Sequence, residues 1–80
     1  MEDNDLKAKM DKETLARLEA YLRKTFGSPK ITVRGRPKKD DSAEVFVGDD
    51  FLATITIDDD EGDLAYQFQM AILAMDLEDA

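Results

Sequence analysis

Apolar residues at Leu15, Leu18, Leu22 and Phe26 recur at spacings of three and four, the period of one helix face. Asp11 stands where a capping side chain can accept first-turn N–H groups. Gly27 can terminate the helix in a left-handed conformation, and Pro29 forbids its continuation. The pattern predicts a helix over residues 12–26. From Lys30 the period shortens to two: Ile31 and Val33 share one face, Thr32 and Arg34 the other, until Pro37 ends the strand. Ala43, Val45 and Val47 then alternate with Glu44 and Phe46. After Gly48-Asp49-Asp50 the alternation resumes as Phe51, Ala53, Ile55 and Ile57 against Leu52, Thr54 and Thr56. A one-residue slip turns every side chain of a strand to the opposite face, so keeping both apolar sets together requires Val47 to oppose Phe51 across a three-residue loop, 48–50.

Asp58-Asp59-Asp60-Glu61-Gly62-Asp63 reads as a solvated turn whose last residue caps a second helix, predicted at about 64–76. Tyr66, Phe68, Met70 and Ile72 also alternate with Ala65, Gln67, Gln69 and Ala71, as in a strand. The helix is preferred because twelve uncharged residues, Leu64 to Met75, are rich in Ala, Leu, Met and Gln. The expected fold is α+β: a three-stranded antiparallel meander with two helices packed on one face, in the order α-β-β-β-α. Residues 1–10, with only Leu6 and Met10 as isolated large apolar positions beyond Met1, are read as a mobile N-terminal arm, and 11–80 as a single domain.

That fold leaves two apolar surfaces without cover. At 100° per residue, Leu64, Phe68, Ala71, Ile72 and Met75 gather on one side of the second helix. Tyr66, Met70, Leu73 and Leu77 gather on the other. One stripe faces the sheet; the other is expected to meet a protein partner or a second copy of the chain, as in a homodimer. The open sheet face would show Thr32, Arg34, Glu44, Phe46, Leu52, Thr54 and Thr56, with Phe46 and Leu52 as cross-strand neighbours. The expected partner interface is therefore Tyr66, Met70, Leu73 and Leu77, with Phe46 and Leu52 as a second patch.

Composition narrows the chemistry. In 80 residues there is no Cys, His or Trp. Disulfides, thiolate nucleophiles, N/S-ligated zinc and a Ser-His-Asp relay are thereby excluded. Ser28 and Ser42 do not stand in a G-x-S-x-G turn. The acidic turn fails the calcium-loop pattern: with Gly62 at its sixth position, Ile57 and Phe68 would occupy the first and twelfth, where acidic ligands are required. No metal, cofactor or catalytic residue is assigned, and a non-enzymatic adaptor or regulatory module is expected.

Charge is segregated along the chain. Residues 1–29 hold six acids and six bases, 30–39 hold five bases and no acid, and 40–80 hold thirteen acids and no base, for a net charge of −8. The alternative function is therefore an anionic-ligand or nucleic-acid binder acting through residues 30–39, above all Arg34, Arg36, Lys38 and Lys39. Segment 30–39 has no phosphate-binding glycine pattern and no adjoining helix N-terminus. The element order resembles that of double-stranded-RNA-binding domains, but Asp60, Glu61 and Asp63 stand where their basic cluster would meet phosphate. With no basic leader at the start and no apolar stretch of membrane-spanning length, the reading is cytoplasmic and not membrane-bound.

Three segments carry a closer resemblance: Leu18 to Arg23 (LEAYLR), Arg36 to Val45 (RPKKDDSAEV) and Tyr66 to Leu73 (YQFQMAIL). Over residues 12–79 the chain resembles an uncharacterised domain-of-unknown-function family of short alphaproteobacterial proteins. The resemblance implies a small stand-alone bacterial protein of the cytoplasm and transfers no catalytic residue.

Overall fold

The computed structural model describes residues 9–59 and 63–78, in the order α-β-β-β-β-α. The elements are α1 (Lys12–Phe26), β1 (Ile31–Arg36), β2 (Lys39–Val47), β3 (Asp50–Asp58), β4 (Ala65–Gln69) and α2 (Ala74–Glu78). The strands form one antiparallel sheet in the order β1-β2-β3-β4. The expectation of α+β is met, with four strands where three were expected.

Helix α1 forms where its signals place it. Asp11 Oδ1 accepts from the Thr14 N–H at 2.9 Å, and this contact chiefly holds the Asp11 carboxyl below its ordinary 3.8. At the other end Gly27 takes φ 65°, and the N–H groups of Gly27 and Ser28 both donate to the Arg23 carbonyl. Leu22 is buried and Leu15 and Leu18 are half-buried against the sheet. Two alanines and a glycine let the helix approach: Ala43 and Ala53 are fully buried, and a Cβ on Gly35 would stand 3.4 Å from Leu15 Cδ1. Ile31, Val33, Val45 and Ile55 complete the buried layer. Met10, at the end of the expected arm, joins it at 8% exposure, its N–H donating to the Asp40 carbonyl at 2.7 Å. The expectation for residues 1–8 lies outside the described residues.

The β2–β3 hairpin corrects the expected register. Val47 pairs with Asp50, not Phe51, and only Gly48 and Asp49 lie between them, with Gly48 at φ 62°. A two-residue loop would by itself expose one strand's apolar set. A bulge restores the parity: the pairing passes from Phe46 opposite Phe51 to Val45 opposite Ala53, leaving Leu52 as the additional residue. Leu52 consequently packs against the core instead of joining Phe46 on the open face, and Phe51 turns outward at 57% exposure.

The predicted second helix is also corrected. Residues 65–69 are strand β4, paired Asp58 with Ala65, Ile57 with Tyr66, Thr56 with Gln67, Ile55 with Phe68 and Thr54 with Gln69. Here the period-two alternation wins over helix propensity, because β3 offers a row of backbone groups to pair and an inner face for Tyr66 and Phe68. These two rings pack on the same side, so the two opposed stripes of the expected helix do not exist. Helix survives only at Ala74–Glu78, where the Asp76 carboxylate accepts from the Leu73 N–H at 3.0 Å. Asp63 precedes a strand and caps no helix, while the centre of the acidic turn, residues 60–62, lies outside the described residues.

Candidate interaction surface

The sheet has two edges, and side chains treat them differently. Along β1, Glu19 Oε1 accepts from the Val33 N–H at 3.0 Å and Arg23 Nε donates to the Ile31 carbonyl at 2.7 Å. The two side chains also pair with each other at 3.4 Å. Helix α1 thus engages two backbone groups of β1 that face away from β2. Arg34, Arg36 and a register shift at Gly35/Arg36 further mark this edge, the usual devices against unwanted strand pairing. β4 has none of these. Its sequence, AYQFQ, carries no charge and no proline, and among the described residues no strand or helix lies along its outer edge.

Beside that open edge lies an apolar trough. Leu18, Tyr21 and Leu22 of α1 form one wall, Tyr66 and Phe68 of β4 the other, and Ile55 lies between, enclosing about 320 Å³. Phe26 closes one end, its ring centroid 5.8 Å from that of Phe68. At the other end an adjoining hollow of about 360 Å³, sharing Leu18 and Tyr66, is lined by Thr14, Arg17 and Leu64. Tyr21 is 64% exposed, although its neighbours on the helix face the core. Rings and leucines bordering solvent in one hollow are the usual lining of a recognition site.

The chain leaves β4 as an apolar arm, residues 70–78. Met70, Ile72, Leu73, Met75 and Leu77 are exposed at 45–65%, and no residue of α2 is buried. Of the interface expected from sequence, Met70, Leu73 and Leu77 stand on this arm while Tyr66 sits in the trough. They do not form one stripe. The sequence reading missed Leu18, Tyr21 and Leu64 as surface residues of interest. A signal existed in Tyr21, which lies three residues from Leu18 and one from Leu22, widening the helical stripe beyond what a narrow seam requires.

The second expected patch is rearranged. Phe46 meets Phe51, not Leu52, edge to face at 5.8 Å, and the Arg34 guanidinium lies 4.3 Å from the Phe46 ring centroid. Arg36 covers the buried Ser42, its Nη1 donating to Oγ at 3.3 Å. Two of the four candidate anion-binding residues are thus engaged with the outer sheet face. Lys38 and Lys39 remain exposed at the β1–β2 turn, in a hollow they share with Met10, Arg36 and Asp40.

Among the described residues no group of three or more acidic side chains is placed to hold a metal ion, and no helix is long and apolar enough to cross a membrane. No curated protein and no solved structure matches this chain significantly. A family model described as a protein of unknown function, DUF3126, matches residues 14–76, which run from the first turn of α1 through all four strands into α2. The chain therefore belongs to the DUF3126 family of proteins of unknown function.

Proposed function

We propose that the protein is a small non-enzymatic interaction module, an adaptor or regulatory subunit, that acts by protein contact through the trough, the β4 edge and the arm. The observation that carries this reading is their adjacency: an uncharged strand edge, an apolar hollow and five exposed large side chains adjoin one another. An unpaired strand supplies main-chain hydrogen bonds and the hollow supplies side-chain specificity, the two components of recognition by strand addition. Chemistry supports the same direction, because the sequence has neither imidazole nor thiol. Bacterial origin and cytoplasmic placement belong to the same proposal and rest on the sequence alone.

The alternative, an anion binder at residues 30–39, has less support. Arg34 and Arg36 lie on Phe46 and Ser42, and the two lysines left at the turn have Asp40 beside them. Two exposed lysines supply little more than a weak, salt-sensitive attraction.

Affinity capture in parallel with wild type, Leu73→Glu and Lys38→Ala/Lys39→Ala chains separates the readings. The interaction reading expects a protein, another copy included, to be held by wild type and the lysine variant and lost from Leu73→Glu. Retention of nucleic acid or polyphosphate that disappears in the lysine variant would favour the alternative. Equal protein retention by all three chains would contradict the proposed surface.

A further inference from the structure

The arm and the trough have matching chemistry, and the topology indicates how they meet. The arm bears Asp76 and Glu78 among its apolar residues, whereas α1, which forms one wall of the trough, bears Arg17 and Lys24. Arg17 lines the hollow that adjoins the trough beside Leu64. Helix α1 carries four bases against the two acids Glu13 and Glu19, and Arg17 and Lys24 flank Tyr21 at helical spacing, so the wall of the trough offers the acidic arm an opposite charge.

The exposed surface of this face is apolar. Met70, Ile72, Leu73, Met75 and Leu77 on the arm are 45–65% exposed, and the trough beside them is lined by leucines and rings, so together they form the surface least compatible with water.

The open edge of β4 supplies the symmetry. Two β4 strands pairing antiparallel about a two-fold axis form an isologous contact, the commonest arrangement of soluble oligomers. In such a pair the end of one β4, Gln69, stands beside the start of the other, Ala65, next to Leu64 and the Arg17 end of that copy's trough. Resting on the reading proposed above, we infer that the trough between α1 and β4 is the seat of the arm, residues 70–78, of a second copy of this chain, exchanged reciprocally across paired β4 edges. Leu73 and its apolar neighbours lie against Leu18, Tyr21 and Tyr66, and Asp76 and Glu78 lie near Arg17 and Lys24.

The absence of cysteine makes the test direct. Tyr21→Cys and Leu73→Cys are introduced in separate full-length chains, mixed and oxidised. A disulfide-linked heterodimer, weighing about twice the 9.0 kDa chain, forms from the mixture and not from either variant alone. The double variant runs as a covalent dimer. If it instead closes its bond within one chain, the arm covers its own trough and the inference is wrong. The inference is also wrong if wild type sediments as a 9.0 kDa monomer at about 100 μM, well above the micromolar Kd of a weak dimer. Leu73→Glu, at a side chain 55% exposed in the single chain, leaves the circular dichroism spectrum unchanged and raises the dimer dissociation constant roughly tenfold or more. Wild type that stays monomeric but holds a different protein, losing it on Leu73→Glu, would overturn the second copy as occupant while leaving the interaction module standing.

Discussion

Glu19 and Arg23 show how two charged side chains can settle the use of a strand. Both are polar positions one helical turn apart, and an exposed ion pair at this spacing contributes a few tenths of a kcal/mol. In the structure they bond the backbone of β1 at 3.0 and 2.7 Å and so close an edge of the sheet. Removing Glu19 leaves the N–H of the buried Val33 without its acceptor, so Glu19→Ala is expected to cost about 1–3 kcal/mol. Glu19→Gln keeps a carbonyl oxygen at the same place and should recover much of the loss. Denaturant unfolding of the three chains measures the difference, and equal stability of all three would show that α1 does not close this edge.

At the scale of elements, the first helix, the three meander strands and their shared inner face are legible because one apolar period and clear stop signals define each of them. β4 is not. Ala65 to Gln69 fits both periods over five residues, and the decision is made by β3, whose outer edge is filled when Ile57 meets Tyr66 and Ile55 meets Phe68. The bulge at Leu52 is hidden for a related reason. Alternation through Phe51, Ala53, Ile55 and Ile57 is unbroken in sequence, and only a two-residue connection forces an additional residue into the ladder. Of the candidate site, the residue types were legible and their grouping was not: Met70, Leu73 and Leu77 stand on the exposed arm apart from Tyr66, and the trough exists only once β4 lies beside α1.

The bulge makes a prediction opposite to that of simple alternation. With Phe51 outward against Phe46 and Leu52 against the core, Phe51→Lys costs at most the edge-to-face contact, about 0.5–1.5 kcal/mol. Leu52→Lys loses core packing and costs more, about 2–4 kcal/mol. Unfolding free energies of the two variants decide the matter. The reverse ranking would restore Phe51 to the core and a three-residue loop.

For the whole molecule, segregation is the theme. The chain places all its bases before residue 40 and thirteen acids after it, while its exposed apolar arm follows the last strand. On the inferred pairing, another copy in the opposite orientation would bring acid to base and apolar arm to apolar trough at two places at once. One edge of the sheet is engaged at two backbone groups by Glu19 and Arg23; pairing with a second β4 would close the other.

Amide hydrogen exchange compares these two edges directly. On the proposed account, the N–H groups of β4 that face away from β3 are slow to exchange in concentrated protein, approaching the protection of β2, and become fast on dilution below the dimer dissociation constant. The Val33 N–H, held by Glu19 within one chain, should change much less over the same dilution. Rapid exchange of the outward β4 groups at every concentration, beside a protected Val33, would mean that the edge stands open in solution and would contradict the account.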